Sequence, residues 1–138
     1  MQKKVVVYAH QASGMKYGMQ KLHELGEYLG SCAVKEGFEL IGVITEITDK
    51  HLYERSGFIQ CLELISSDEV EGVYVLDASN ISEDKQEVID FVQSVVEAGT
   101  FVKSVKNDLP GEKGHMSHDS NTTVNNDEPS EFVLFYKF

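Results

Sequence analysis

Four polar side chains stand where short apolar runs give way to small and polar residues. His10 and Ser13 follow Val5, Val6 and Val7 in VVVYAHQASG, Arg55 lies in the polar stretch after Leu40 to Ile44, and Asp77 follows Val73 to Leu76. Together His10, Ser13, Arg55 and Asp77 could line a pocket for a small ligand or an anion. Each also has a plainer use. A loop arginine pairs with a carboxylate, an Asp at a strand end caps a turn, a lone His at a strand end is a hydrogen-bonded pocket residue, and Ser13 with Gly14 makes a turn. The stretch HMSHD sets His115, His118 and Asp119 together, but in Gly/Ser/Asn-rich surroundings that supply fewer than the roughly four preorganised ligands of a structural metal site. No metal or other cofactor is expected.

The elements that must position these residues can be read from apolar spacing. Val5 to Tyr8 is a continuous apolar run, as in a strand buried on both faces. Met19, Leu22, Leu25, Leu29, Cys32 and Ala33 recur at helical spacing and predict a helix over roughly residues 18–36, stopped by Gly37. Leu40 to Ile44 reads as a second strand and residues 45–56 as a polar loop. Phe58, Cys61, Leu62 and Ile65 form one face of a helix ended by Ser66, Ser67 and Asp68. Val70 and Val73 to Leu76 predict a third strand, Val88 to Val96 a third helix, and Phe101, Val102 and Val105 a fourth strand. This alternation implies an α/β fold of three layers, a mostly parallel sheet with helices on both faces. In such sheets ligands bind at the carboxyl ends of the strands, where the polar stretches fall.

The chain divides into an α/β domain over 1–106, a flexible acidic and polar loop or linker over 107–130, and a C-terminal strand over 131–138. The last segment, EFVLFYKF, is apolar on both faces as a strand, and needs cover. Sheet extension is expected, within the subunit or by exchange between two copies.

The formal charge is −11 and there is a single arginine. Phosphate binding requires clustered Lys and Arg, so DNA binding by this chain alone is not expected. Cys32 and Cys61 fall on apolar helix faces and read as core thiols of a reducing compartment. There is no N-terminal signal pattern and no apolar stretch near the ~20 residues of a membrane span, so a cytoplasmic location is expected.

The segments YAHQAS at 8–13, ERSGF at 54–58, VYVLDASNISED at 73–84 and EAGTFVKSV at 97–105 keep an order and spacing that resembles the catalytic domain of the resolvase/invertase-type serine recombinases. The resemblance covers about residues 4–106 and implies a resolvase-like fold. In that family Tyr-Ala-Arg-Val-Ser supplies the serine that attacks DNA phosphate, and arginines from this and two later segments stabilise the phosphoryl oxygens. Here His10 stands where the first arginine belongs, Ala12 stands at the nucleophile, Arg55 keeps the loop arginine, Asp77 keeps the acid, and Ala78 and Ile81 replace the two later arginines. The resemblance therefore implies a catalytically inactive member kept as an interaction or regulatory module, with a protein partner or self-association. The alternatives are a small-ligand or anion-binding protein using the remnant pocket, and a divergent recombinase acting through Ser13. The family continues into a long dimerisation helix and a DNA-binding domain, whereas residues 106–130 lack apolar periodicity.

Overall fold

The computed structural model describes residues 2–14, 18–110 and 132–137, the last segment through its backbone and the Phe135 side chain. The elements are β1 (Lys4–Gln11), α1 (Met19–Lys35), β2 (Glu39–Ile47), α2 (Ser56–Ser66), β3 (Gly72–Val75), α3 (Lys85–Glu97), β4 (Phe101–Ser104) and β5 (Phe132–Lys137). They form one sheet of order β4-β3-β1-β2-β5, in which the first four strands are parallel and β5 runs antiparallel to β2.

The pattern of β1 explains the three layers. Val5, Val7 and Ala9 point to one face and meet Leu22, Leu29 and Ala33 of α1. Val6 and Tyr8 point to the other, where Phe58 and Cys61 of α2 and Phe91 and Val95 of α3 cover them. A central strand covered on both sides has no position for water, hence its continuous apolar run. On the first face α1 lies close to β2 because Gly26 has no side chain: a Cβ there would stand 2.8 Å from Val43 Cγ1.

Three expectations are corrected. The second strand does not stop at Ile44 but continues to Ile47, and Thr45 and Glu46 are fully buried in it. Their polarity suggested a loop, yet β2 stays paired with β1 as far as Gln11, and Glu46 finds partners inside the core. The linker does not begin at residue 107. Leu109 is 2 % exposed in the core beneath α2 and α3, and Asp108 Oδ1 accepts the Ala78 N–H at 3.1 Å, so 107–110 belong to the domain. Of the two thiols, Cys61 is buried but Cys32 only half-buried. The rest of the polar segment, with His115, His118 and Asp119, lies outside the described residues.

β5 closes the outer edge of β2 in a register running from Gly42 opposite Lys137 to Ile47 opposite Phe132, and Phe135 packs against the α2/α3-side core. Removing 131–138 would leave the β2 edge with unpaired N–H and C=O groups. The truncated chain is expected to melt at a lower temperature and to associate as its concentration rises. An unchanged melting temperature and mass by thermal denaturation and light scattering would contradict this.

Candidate functional site

The chain passes from β1 to β2 on one side and then to β3 on the other, so the strand order reverses beside β1 and the loops there diverge. Between them is a cleft of about 760 Å³. His10 to Gly14 supply one wall, Thr48 to His51 and Arg55 another, Leu76, Ser79, Asn80 and Ser82 a third, and Leu22 and Leu25 of α1 an apolar floor.

His10 ends β1 with 5 % exposure, and its Nε2 lies 2.9 Å from the Thr48 carbonyl oxygen. A carbonyl can only accept, so Nε2 carries the proton and Nδ1 is a lone pair. Among the described residues Nδ1 has no partner. Burial, with the Arg55 guanidinium second, brings the ring down to about 4, so it is neutral at pH 7.

Arg55, 3 % exposed, donates to the protein from each of its three nitrogens. Nε donates to the Lys50 carbonyl at 3.1 Å, Nη1 to the Ile81 carbonyl at 2.5 Å and Nη2 to Glu87 Oε1 at 2.9 Å. Glu87 in turn accepts from the Leu52 N–H at 3.0 Å and the Ser82 hydroxyl at 2.8 Å. Burial raises its carboxyl, but the bonds from Ser82, Leu52 and Arg55 outweigh that and hold it below the usual range. One carboxylate thus ties α3 to the loops after β2 and β3.

Ser13 is bound through both its N–H, at 2.9 Å, and its hydroxyl to the Asp49 carboxylate. Ala12 lines the cleft with a methyl group. Asp77 does not line it: its carboxylate accepts from the Asn80 N–H at 3.2 Å and the Ser79 hydroxyl at 2.7 Å, capping the turn Ala78–Asn80, and meets Lys106 at 3.4 Å. The structure therefore brings His10, Ala12, Ser13 and Arg55 to one cleft and removes Asp77 from it. Ala78 and Ile81 are buried in the core. Among the described residues no group of three His, Cys, Asp or Glu side chains could hold a metal ion.

Sequence reasoning missed three carboxylates. Asp49 and Glu87 are described above. The third, Glu46, has no exposure. It accepts from the Tyr8 hydroxyl at 2.5 Å and from the Gly57 N–H at 3.0 Å, so it caps α2 from within the core and fixes the helix that begins beside Arg55. Gly57 permits that approach, since a Cβ would stand 2.7 Å from the carboxylate. Glu87 had a signal, Asp84 three residues before it, which reads as a capping box. Asp84 does cap α3 through Gln86 N–H, but Glu87 turns to Arg55 instead.

No family profile matches the sequence, and no curated protein matches it. Solved structures do. The C-terminal catalytic domain of ISC1926 TnpA, an IS607-like serine recombinase, aligns at 20% identity and a TM-score of 0.61, over 74% of this chain and 70% of that one. The N-terminal catalytic domain of TP901-1 integrase aligns at 18% identity and 0.61, over 75% and 78%. The first ORF in transposon ISC1904 from Sulfolobus solfataricus aligns at 25% identity and 0.52, over 78% and 70%. The chain has the fold of serine recombinase catalytic domains.

Proposed function

We propose that this chain is a recombinase-fold protein without strand-transfer chemistry, serving as an interaction or regulatory module in a reducing compartment such as the cytoplasm. The observation that carries this reading is the state of Arg55. Each nitrogen of the chain's single arginine donates to the protein, two carbonyls and Glu87, and its charge is paired with Glu87, which argues against its steadying a phosphoryl group in the cleft. Phosphoryl transfer by an attacking hydroxyl needs such groups where charge develops. Ala12 stands at the position the resemblance gives to the nucleophile, and Ala78 and Ile81 at those of two arginines. Ser13 is the hydroxyl next in sequence to that nucleophile position. Its partner Asp49 is an anion that would repel DNA phosphate, and the charge of −11 opposes approach of DNA to the whole chain.

The expected result is no covalent protein–DNA adduct and no relaxation or recombination when the chain is incubated with supercoiled plasmid under adduct-trapping conditions. An adduct lost in Ser13→Ala would overturn the reading in favour of a divergent recombinase. Function then rests on association with a protein partner or a second copy, which size-exclusion chromatography with light scattering tests directly for the self-associating case.

A further inference from the structure

We propose that the outer edge of β5 pairs with the same edge of a second copy, antiparallel and about a two-fold axis, so that two five-stranded sheets join into one. This names the surface of the self-association put forward above and rests on it. The experiment below separates failure of the surface from failure of self-association.

The two outer strands of the sheet, β4 and β5, are not alike. β4 is blunted as edge strands usually are, by shortness and by lysine. It has four residues, and Lys103 within it turns its ammonium back onto the strand's own Ser104 carbonyl at 2.9 Å. β5 has six residues, FVLFYK, with no proline and no acid, and its one lysine stands at its end. It pairs with β2 in a register without a break from Gly42 to Ile47. A strand so rich in aromatic and β-branched residues is a template for a further one.

The ladder fixes which groups the outer edge offers. The Thr48 N–H donates to the Gln11 carbonyl at 3.1 Å, so beyond the register shift opposite Val5 and Val6 the even-numbered residues of β2 turn their N–H and C=O groups to β1. The odd-numbered Val43, Thr45 and Ile47 therefore bond to Tyr136, Leu134 and Phe132. That leaves the N–H and C=O groups of Val133, Phe135 and Lys137 pointing away from β2, with no further strand beyond them among the described residues.

A second copy of β5 meets these groups by symmetry. Antiparallel pairing about a two-fold sets Val133 of each copy opposite Phe135 of the other, so every outward N–H finds a C=O. Each copy carries a charge of −11, which opposes contact over most of the surface, but β5 brings no acid to the junction. Each α2 packs over β2, between β1 and β5. Across the joined edge the two α2 helices stand three strand spacings apart, about 14 Å against the roughly 8–10 Å of packed helices, so neither blocks the approach. The pairing consumes both β5 edges and leaves only the blunted β4 edges, so it closes at two copies.

The test uses the full chain. Light scattering from about 10 μM to about 1 mM is expected to show the mass rising from one copy to two and no further, because an edge-only contact is small and binds in the micromolar range. Val133→Pro deletes an outward donor and none that β2 uses, and proline is accepted in an edge strand where its nitrogen faces solvent. Each dimer loses two donors, so the variant is expected to dimerise about tenfold more weakly or less, with its low-concentration melting temperature within a few degrees of the parent. Amide hydrogen exchange in the unaltered chain reads the same edge even if the variant fails to fold. The N–H groups of Val133 and Phe135 should gain protection as the concentration rises, whereas that of Leu134 is protected throughout. A chain that stays monomeric at the highest concentration overturns self-association and the surface together. A dimer that a folded Val133→Pro leaves intact, exchange at Val133 and Phe135 that does not change with concentration, or growth beyond two copies overturns the surface alone.

Discussion

Replacing Arg55 by alanine is expected to cost about 3–5 kcal/mol of folding stability, the range for breaking a buried ion pair by removing one partner. The guanidinium is 3 % exposed and the Glu87 side chain 16 %, so the substitution leaves a carboxylate with little water to replace its partner. The carbonyls of Lys50 and Ile81 lose their donors as well. Arg55→Lys should recover only part of the loss, because one ammonium cannot reach three acceptors arranged around a planar fork. Glu87→Gln keeps the shape and the bond from Leu52 but removes the charge, and should fall between. Urea titration of the variants measures these values directly. If Arg55→Ala changes stability by less than about 1 kcal/mol, as an exposed pair would, the arginine is not held as described and remains free for a phosphate.

Lowering the pH from 6.5 to 4 is expected to remove about 3 kcal/mol of stability through His10 alone, at 1.36 kcal/mol per pKa unit. In the unfolded chain the ring titrates at its ordinary 6.5, whereas burial, followed by the Arg55 charge, holds it at about 4 in the fold. Between those values the unfolded chain binds more protons than the folded one. Stability from this group is therefore complete above 6.5 and declines as the pH falls toward 4. Glu87 acts in the same sense at lower pH: held below its ordinary 4.5, it loses its share only as the pH drops through its folded value. His10→Gln offers an N–H to Thr48 without a titrating ring, and should flatten the profile between 6.5 and 4 while leaving the decline below 4.5. Denaturant midpoints measured across this range in both proteins separate the two groups. An identical slope in His10→Gln would show that His10 is not the cause.

The sequence by itself determined the layered α/β fold and the place of the cleft. Apolar spacing depends on which face of an element is buried, so Leu22, Leu29 and Ala33 could be assigned to the inner side of a helix from the sequence alone. The continuous run Val5 to Tyr8 marked a strand covered on both faces, and alternation of strand and helix implied a parallel sheet with polar loops at one end. Tertiary structure alone decided which polar residues share a site. Glu46 looks like loop in a polar stretch, but its partners Tyr8 and Gly57 are 38 and 11 positions away, and only the pairing of β1 with β2 and the docking of α2 bring them together. Arg55 and Glu87 are separated by 32 positions, and the same packing turns an arginine that could have served a ligand into a structural one. Asp77 and Ser13 each turned to a local or cross-loop partner that no spacing reveals. Periodicity records whether a residue is covered, because covering is a property of one element against a layer. Hydrogen-bond partners depend on the relative placement of several elements, and that is fixed only when the whole core closes.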